Sequence, residues 1–150
     1  MATGNPVIRP AQAADADALA ACIDAAYAQY TELLSDMPSV SEGCAEDIAN
    51  NQVWVAVQGD VITAGLILIT GDGFMKLANL AVRPDHGGKG LGRQLIALSE
   101  REARRQGFAE MRLNTHVDMP KNIRLYQSLG WAEASRTGNT VSMKKCLSND

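Results

Sequence analysis

The chain has 150 residues, of which 46% are apolar and 21% charged, and its formal net charge is −3. That is one domain's worth of ordinary globular composition, long enough to bury about two-thirds of the unfolded surface without disulfides or metals, so disorder is expected only at the ends, "MATGN" and "LSND". The acidic balance disfavours nucleic acid as a partner, because neutralising phosphates takes a basic excess.

Taken in chain order, "PVIRP" reads as a short opening strand. From Asp15 to Tyr30, the residues Leu19, Ile23, Ala26 and Tyr30 recur with the spacing of one buried helical stripe. "SDMPSVSEG" breaks that helix and "CAEDIANN" begins a second, shorter one. The middle is β: "VWVAV" and "VITAGLILIT" flank "QGD", a tight-turn signal between β-branched runs, and "GDG" turns the chain again into "FMKLANLAV". These three strands make an antiparallel meander.

After Val82 the pattern changes to a helix over Gly90–Gln106, with Leu91, Leu95 and Leu98 on one face. Glu100 and Arg104 form a favourable i, i+4 pair, and Gly107 closes the helix. "AEMRLNT" is the next strand, so strand, loop, helix and strand form a βαβ unit whose strands pair in parallel through a right-handed crossover. A small helix follows, with Pro120 in its first turn and Gly130 just past its end. "WAEASR" and "TVSMKKC", joined by "TGN", close the chain as a hairpin. The fold class is α/β, a single domain over residues 1–150 with a mixed sheet of about seven strands and helices on both faces.

The cysteines Cys22, Cys44 and Cys146 show no C-x-x-C spacing, which suits free thiols in a reducing compartment. Cys22 and Cys146 read as buried packing thiols. With two histidines and scattered cysteines there is no zinc spacing. No charged-then-apolar leader opens the chain, and the longest apolar run, around "AGLILI", is too short for a bilayer. A cytoplasmic protein with no membrane partner is expected.

The stretch "PDHGGKGLGRQL" places four glycines and one lysine between Gly87 and Gly92, where a strand hands over to a helix. Backbone N–H groups at a helix start, with no Cβ atoms in the way, make a concave nest for phosphate oxygens, and the helix dipole adds partial positive charge. Gly88, Gly90 and Gly92 allow close approach, while Lys89 and Arg93 add charge at the rim. Arg101, Arg104 and Arg105 belong to a solvated helix face. A Walker A loop fails because Gly90, not Ser or Thr, follows Lys89. A dinucleotide fingerprint fails because Arg93 stands at the third glycine and the meander comes first. A phosphate-bearing ligand is the direct inference.

At this point the chain resembles the GCN5-related N-acetyltransferases over nearly its whole length. "LANLAVRPDHGGKGLGRQLIALSEREARRQG" is similar to the family's central motif, a hydrophobic strand, V-x-P, a glycine turn and a long helix. "NIRLYQSLGW" resembles its second motif, and "VIRPAQAADADALAACI" its opening strand and helix. Gly87 stands where the family commonly has Gln or Arg, so Lys89 or Arg93 would supply the charge there.

The resemblance implies a mostly antiparallel seven-stranded sheet with about four helices and a parallel, splayed strand pair at the cofactor site. It implies acetyl-CoA as the acetyl donor, with no metal. The backbone from Gly87 through Gly88, Lys89, Gly90, Leu91 and Gly92 to Arg93 would cradle the pyrophosphate. Leu80, Ala81 and Val82 would pair with the pantetheine arm like an added strand, and an N–H near Leu80 would face the developing oxyanion. Asn122 would contact the pantetheine, and Tyr126, whose phenol ordinarily titrates near 10, would protonate the leaving thiolate. As a plain sequence feature Tyr126 is equally a core aromatic of an amphipathic helix.

Many relatives carry a glutamate base on the strand before the loop, where "KLANLAV" has Asn79. Asp72, His116 or an ordered water are the alternatives, and His86 belongs to the loop's outer edge. Trp54 and Trp131 read as core or strand-end packing. Glu32, Asp36, Glu42, Glu46 and Asp47 make the segment between the first two helices acidic, which favours a cationic amine. A primary amine of a small molecule is therefore expected as acceptor, ahead of a protein N-terminus or lysine, with homodimerisation left open. The rival readings are a CoA-binding sensor without turnover and an interaction module of the same fold.

Overall fold

The computed structural model describes residues 7–28, 43–84, 90–117 and 119–147. Seven strands and four helices follow one another: β1 Val7–Pro10, α1 Ala16–Tyr27, α2 Cys44–Asn50, β2 Gln52–Gln58, β3 Val61–Thr70, β4 Met75–Val82, α3 Leu91–Arg105, β5 Glu110–His116, α4 Pro120–Ser128, β6 Ala132–Thr137 and β7 Thr140–Cys146. The strands form one sheet in the order β1-β2-β3-β4-β5-β7-β6. β1–β2, β2–β3, β5–β7 and β6–β7 pair antiparallel. β4 and β5 pair in parallel, as the βαβ pattern requires, with Met75 opposite Met111 and Lys76 opposite Arg112. The mixed, mostly antiparallel sheet read from the sequence is the sheet observed.

Two compact units divide the chain, Met1–Leu68 with Asn79–Ala97, and Ile69–Ala78 with Leu98–Asp150. In the first, β3 is buried from Ile62 to Leu68, which is why its sequence is an unbroken apolar run and not an alternating one. Leu19 and Ile23 carry the buried stripe of α1, and Cys22 fills the gap between them. Ala26 is half-buried, and Tyr30 lies outside the described residues. Leu19 reaches β3 at Gly65, where a Cβ would stand 2.3 Å from the leucine Cδ1, so only glycine leaves it room. A short 3₁₀ turn, Ala13–Asp15, leads into α1. Asp15 accepts two hydrogen bonds from Arg9 of β1, at 2.8 and 3.1 Å, and one from the Gln12 N–H at 2.7 Å. Those bonds hold its carboxyl below the ordinary carboxylate range, with the Arg9 contact the larger cause.

In the second unit, Met111 and Leu113 of β5 and Val141 and Met143 of β7 are buried on one face. Their alternation with exposed Arg112, Asn114 and Lys144 is that of a sheet with one solvated side. The edge strand β6 is exposed throughout, and it carries the Glu133–Arg136 ion pair, a charged edge of the kind that discourages further strand addition. Among the described residues, no helix is long and apolar enough to cross a membrane.

Candidate functional site

In the first unit, β4 ends and α3 begins under tight backbone control. The Arg83 N–H donates to the Thr63 carbonyl at 2.9 Å, and its Nε donates to the Ile62 carbonyl, also at 2.9 Å. These bonds pin the exit of β4 to β3. Ala81 is buried, whereas Leu80 and Val82 are only half-buried. The Asn79 Oδ1 is buried and has no hydrogen-bond partner among the described residues. A buried carbonyl left unmatched costs on the order of 1–3 kcal/mol, which a bound N–H or O–H would recover.

Across the loop, Gly90 adopts φ +77°, and its carbonyl accepts the Gln94 N–H at 3.0 Å, the first bond of α3. The N–H groups from Gly90 to Arg93 therefore belong to the opening turn, whose donors have no partner inside the helix. A Cβ at Gly90 would meet no described atom within 4 Å, and one at Gly92 would meet Val82 Cγ2 at 3.8 Å. Among the described residues the helix start is therefore uncrowded at Gly90, and Gly92 leaves room for an ordinary contact with Val82. Leu91 is buried, and Arg93 is exposed. Gly87, Gly88 and Lys89, with His86, lie outside the described residues.

The second unit holds Asn122 and Tyr126 on α4, which starts with proline at its first position as its sequence predicts. Asn122 is half-buried and directs its amide toward the Met119 sulfur at 3.9 Å. Tyr126 is buried at 6% exposure, and its ring lies 5.6 Å from that of Trp131 at an interplanar angle of 60°. This contact follows from how the helix ends. Gly130, at φ +96°, sends the chain back, so the Gly130 N–H bonds the Gln127 carbonyl and the Trp131 N–H bonds the Tyr126 carbonyl, at 3.1 and 3.0 Å. That pattern characteristically brings the second residue past the helix onto its last turn, here tryptophan onto tyrosine.

Trp131 in turn donates its indole N–H to Glu100 at 3.4 Å. The expected i, i+4 pair of Glu100 with Arg104 is present at 4.0 Å, and a closer partner joins it: Lys145 Nζ is at 2.8 Å and also donates to the Leu129 carbonyl at 2.7 Å. Lys145 therefore locks α3, the end of α4 and β7 together. Its role was not anticipated, although the alternation of "TVSMKKC" places Lys145 on the face of the buried Val141 and Met143.

Among the alternatives for the base, His116 ends β5 and is buried, whereas Asp72 is exposed in the turn before β4. One sequence expectation is corrected. Cys22 is buried as expected, but Cys146 is exposed, because it stands on the solvated side of β7 opposite Val141, Met143 and Lys145. Cys44 is buried, and burial raises its thiol above the ordinary range. Of the acidic segment, Glu46 is exposed and Asp47 half-buried, while Glu32, Asp36 and Glu42 lie outside the described residues. Trp54 is half-buried in β2 and Trp131 is buried, in line with their packing roles. Among the described residues, no group of three or more His, Cys, Asp or Glu is arranged to hold a metal.

Comparison with known proteins bears directly on this arrangement. The chain is 30% identical over 123 residues to the Probable N-acetyltransferase family 8 member 5 of Mus musculus, covering 77% of this chain but only 52% of that protein, so it spans about half the length of that relative. Solved structures of the same fold include the PaiA N-acetyltransferase of Thermoplasma acidophilum in complex with coenzyme A, with a TM-score of 0.83, 18% identity and coverage of 95% and 99% of the two chains. The ribosomal-protein-S18-alanine N-acetyltransferase of Escherichia coli has a TM-score of 0.80, with 24% identity and coverage of 97% and 96%. The yncA protein of Salmonella typhimurium, solved with its cofactor acetyl-CoA, has a TM-score of 0.75, with 22% identity and coverage of 98% and 96%. At those identities the structures establish the fold. The family itself rests on a match of residues 19–131, from the buried stripe of α1 to Trp131, to the model of the acetyltransferase (GNAT) family, and the chain belongs to that family.

Proposed function

We propose that this protein is an acetyl-CoA-dependent N-acetyltransferase that acylates the primary amine of a small molecule by direct attack in a ternary complex. The observation that carries the reading is the opening of α3, where N–H groups without a partner inside the helix follow a glycine at φ +77° that no described atom crowds, in a chain of this family. The orphaned Asn79 Oδ1, one residue from Leu80, suits a site completed by a bound ligand.

When bound, acetyl-CoA supplies an activated acetyl group as its thioester. The N–H groups of Gly88 to Arg93, with Gly87 and Lys89 in the same loop, hold the pyrophosphate through the helix start and its dipole. The main chain of Leu80, Ala81 and Val82 pairs with the pantetheine arm, and an N–H near Leu80 faces the oxygen that gains charge during attack. Asn122 contacts the pantetheine. Tyr126 holds a proton on its phenol oxygen and gives it to the sulfur as the C–S bond breaks and the new C–N bond forms. The Trp131 contact restricts the tyrosine ring, so the proton is delivered from a fixed position. His116, Asp72 or an ordered water takes the proton from the acceptor ammonium. The exposed Glu46 and half-buried Asp47, with the acidic residues preceding them, favour a cationic acceptor.

Calorimetric titration with acetyl-CoA, paired with thiol release over a panel of small amines, tests this reading. Tyr126→Phe is expected to lower kcat by about 100-fold or more while leaving acetyl-CoA affinity unchanged. Binding without release from any amine favours a CoA-binding sensor, and absence of binding favours an interaction module.

A further inference from the structure

On the solvated side of the second unit, strand register produces a pattern that sequence spacing does not show. Lys76 of β4 stands opposite Arg112 of β5, and Arg112 stands opposite Lys144 of β7. Three cations thus form one lateral row across three adjacent strands, at successive separations of about 4.8 Å. Like charges placed directly opposite each other on a sheet repel, and such a row weakens the sheet unless something negative lies over it.

Glu110 answers part of this charge. It accepts the Arg112 Nε and stays ionised, its carboxyl held below the ordinary range first by that bond and further by Lys144. Three positive charges still face one negative. Among the described residues, the ammonium of neither Lys76 nor Lys144 makes a side-chain hydrogen bond or a close ion pair, and Lys144 acts on Glu110 only through its field. Arg112 is also fixed in direction, with its Cζ 4.1 Å above the centre of the Phe74 ring. The Glu110 contact uses Nε, which leaves the donors of the terminal guanidinium nitrogens for a ligand. Next to the row, Ser142 donates to Asn114 at 2.8 Å, adding a polar floor. These groups line one cavity of about 450 Å³, within the size range of small-molecule sites.

We infer that Lys76, Arg112 and Lys144 form a binding site for a small oxyanion of the phosphate-ester class carrying two or more charges. The argument is charge complementarity together with preorganisation. A row of roughly 10 Å suits several phosphate oxygens, and a guanidinium fork held by Glu110 and Phe74 loses little freedom on binding them. The site shares no residue with the glycine loop and stands whether or not acetyl-CoA binds there.

Thermal unfolding of the full chain would be followed against inorganic phosphate and, separately, pyrophosphate, with sodium chloride at matched ionic strength as reference. A saturable rise in Tm beyond the chloride reference is expected. Lys144→Gln and, independently, Lys76→Gln should each weaken the apparent affinity about tenfold, the effect of losing one charge-assisted contact, while Arg93→Gln at the start of α3 leaves a row-dependent component in place. The proposal is overturned if phosphate gives no rise beyond chloride. It is also overturned if the rise survives both lysine substitutions and disappears in Arg93→Gln, which would assign all anion binding to the helix start.

Discussion

Gly90 shows how much a single backbone position can decide. Its φ of +77° is a conformation that L side chains rarely adopt, and a β-branched residue is the least suited to it. The space above it is open to any described atom, so Gly90→Val should leave the fold largely intact, at a local cost of about 1–2 kcal/mol, and place its methyl groups where the ligand backbone contact is proposed. Acetyl-CoA affinity is expected to fall at least tenfold by calorimetry, with the circular dichroism spectrum unchanged. Unchanged affinity would mean that the phosphates are held elsewhere. The glycine and its place between strand and helix were legible in the sequence, since strand, turn and helix signals are local. The exposure of Cys146 was legible too, since the alternation of "TVSMKKC" puts it on the side of Ser142 and Lys144, but a cysteine's usual burial argued the other way.

At the level of elements, the end of α4 links helix termination to the candidate acid. Gly130→Ala would force a side chain into φ +96° and bring its Cβ to 3.4 Å from Lys145 Cε and Nζ, which hold Glu100 and the Leu129 carbonyl. A loss of about 1–2 kcal/mol is expected, read as a lower midpoint in urea unfolding with an unchanged slope. Because the same turn seats Trp131 on Tyr126, kcat should fall with it while acetyl-CoA affinity holds. A stable Gly130→Ala variant with full kcat would separate the turn from the chemistry. The strands were readable from alternation and β-branched runs, and the helices from their stripes and glycine stops. Helical spacing correctly pairs Glu100 with Arg104, but it cannot show the closer partner, Lys145, which arrives from β7, 45 residues along the chain.

For the whole molecule, charge sets the response to acid. Asp15, Glu102, Glu110 and Glu133 all sit below the ordinary carboxylate range, each first through a hydrogen bond from an arginine. A lowered carboxyl contributes stability that is complete above its unfolded value, near pH 4, and is lost as pH falls through the lowered folded value. Asp15→Asn should therefore lower Tm by about a degree or two at pH 7, and the gap to the parent protein should narrow and close as pH falls below the ordinary carboxyl value through the lowered folded one. Calorimetric scans of the two proteins across that range check the sign, and a gap that widens in acid would contradict it.

The sequence by itself determined the order and type of the elements, the parallel step from β4 to β5, the glycine-opened start of α3 and the family to which the chain belongs. Each of these depends on residues within a few positions of one another, where periodicity, turn chemistry and motif spacing act directly. Only the tertiary structure decided that Lys145 holds Glu100, that the Asn79 oxygen is buried without a partner among the described residues, and that Lys76, Arg112 and Lys144 stand side by side. Those outcomes depend on strand register and on which face is covered, and shifting a strand by one residue would exchange its two faces.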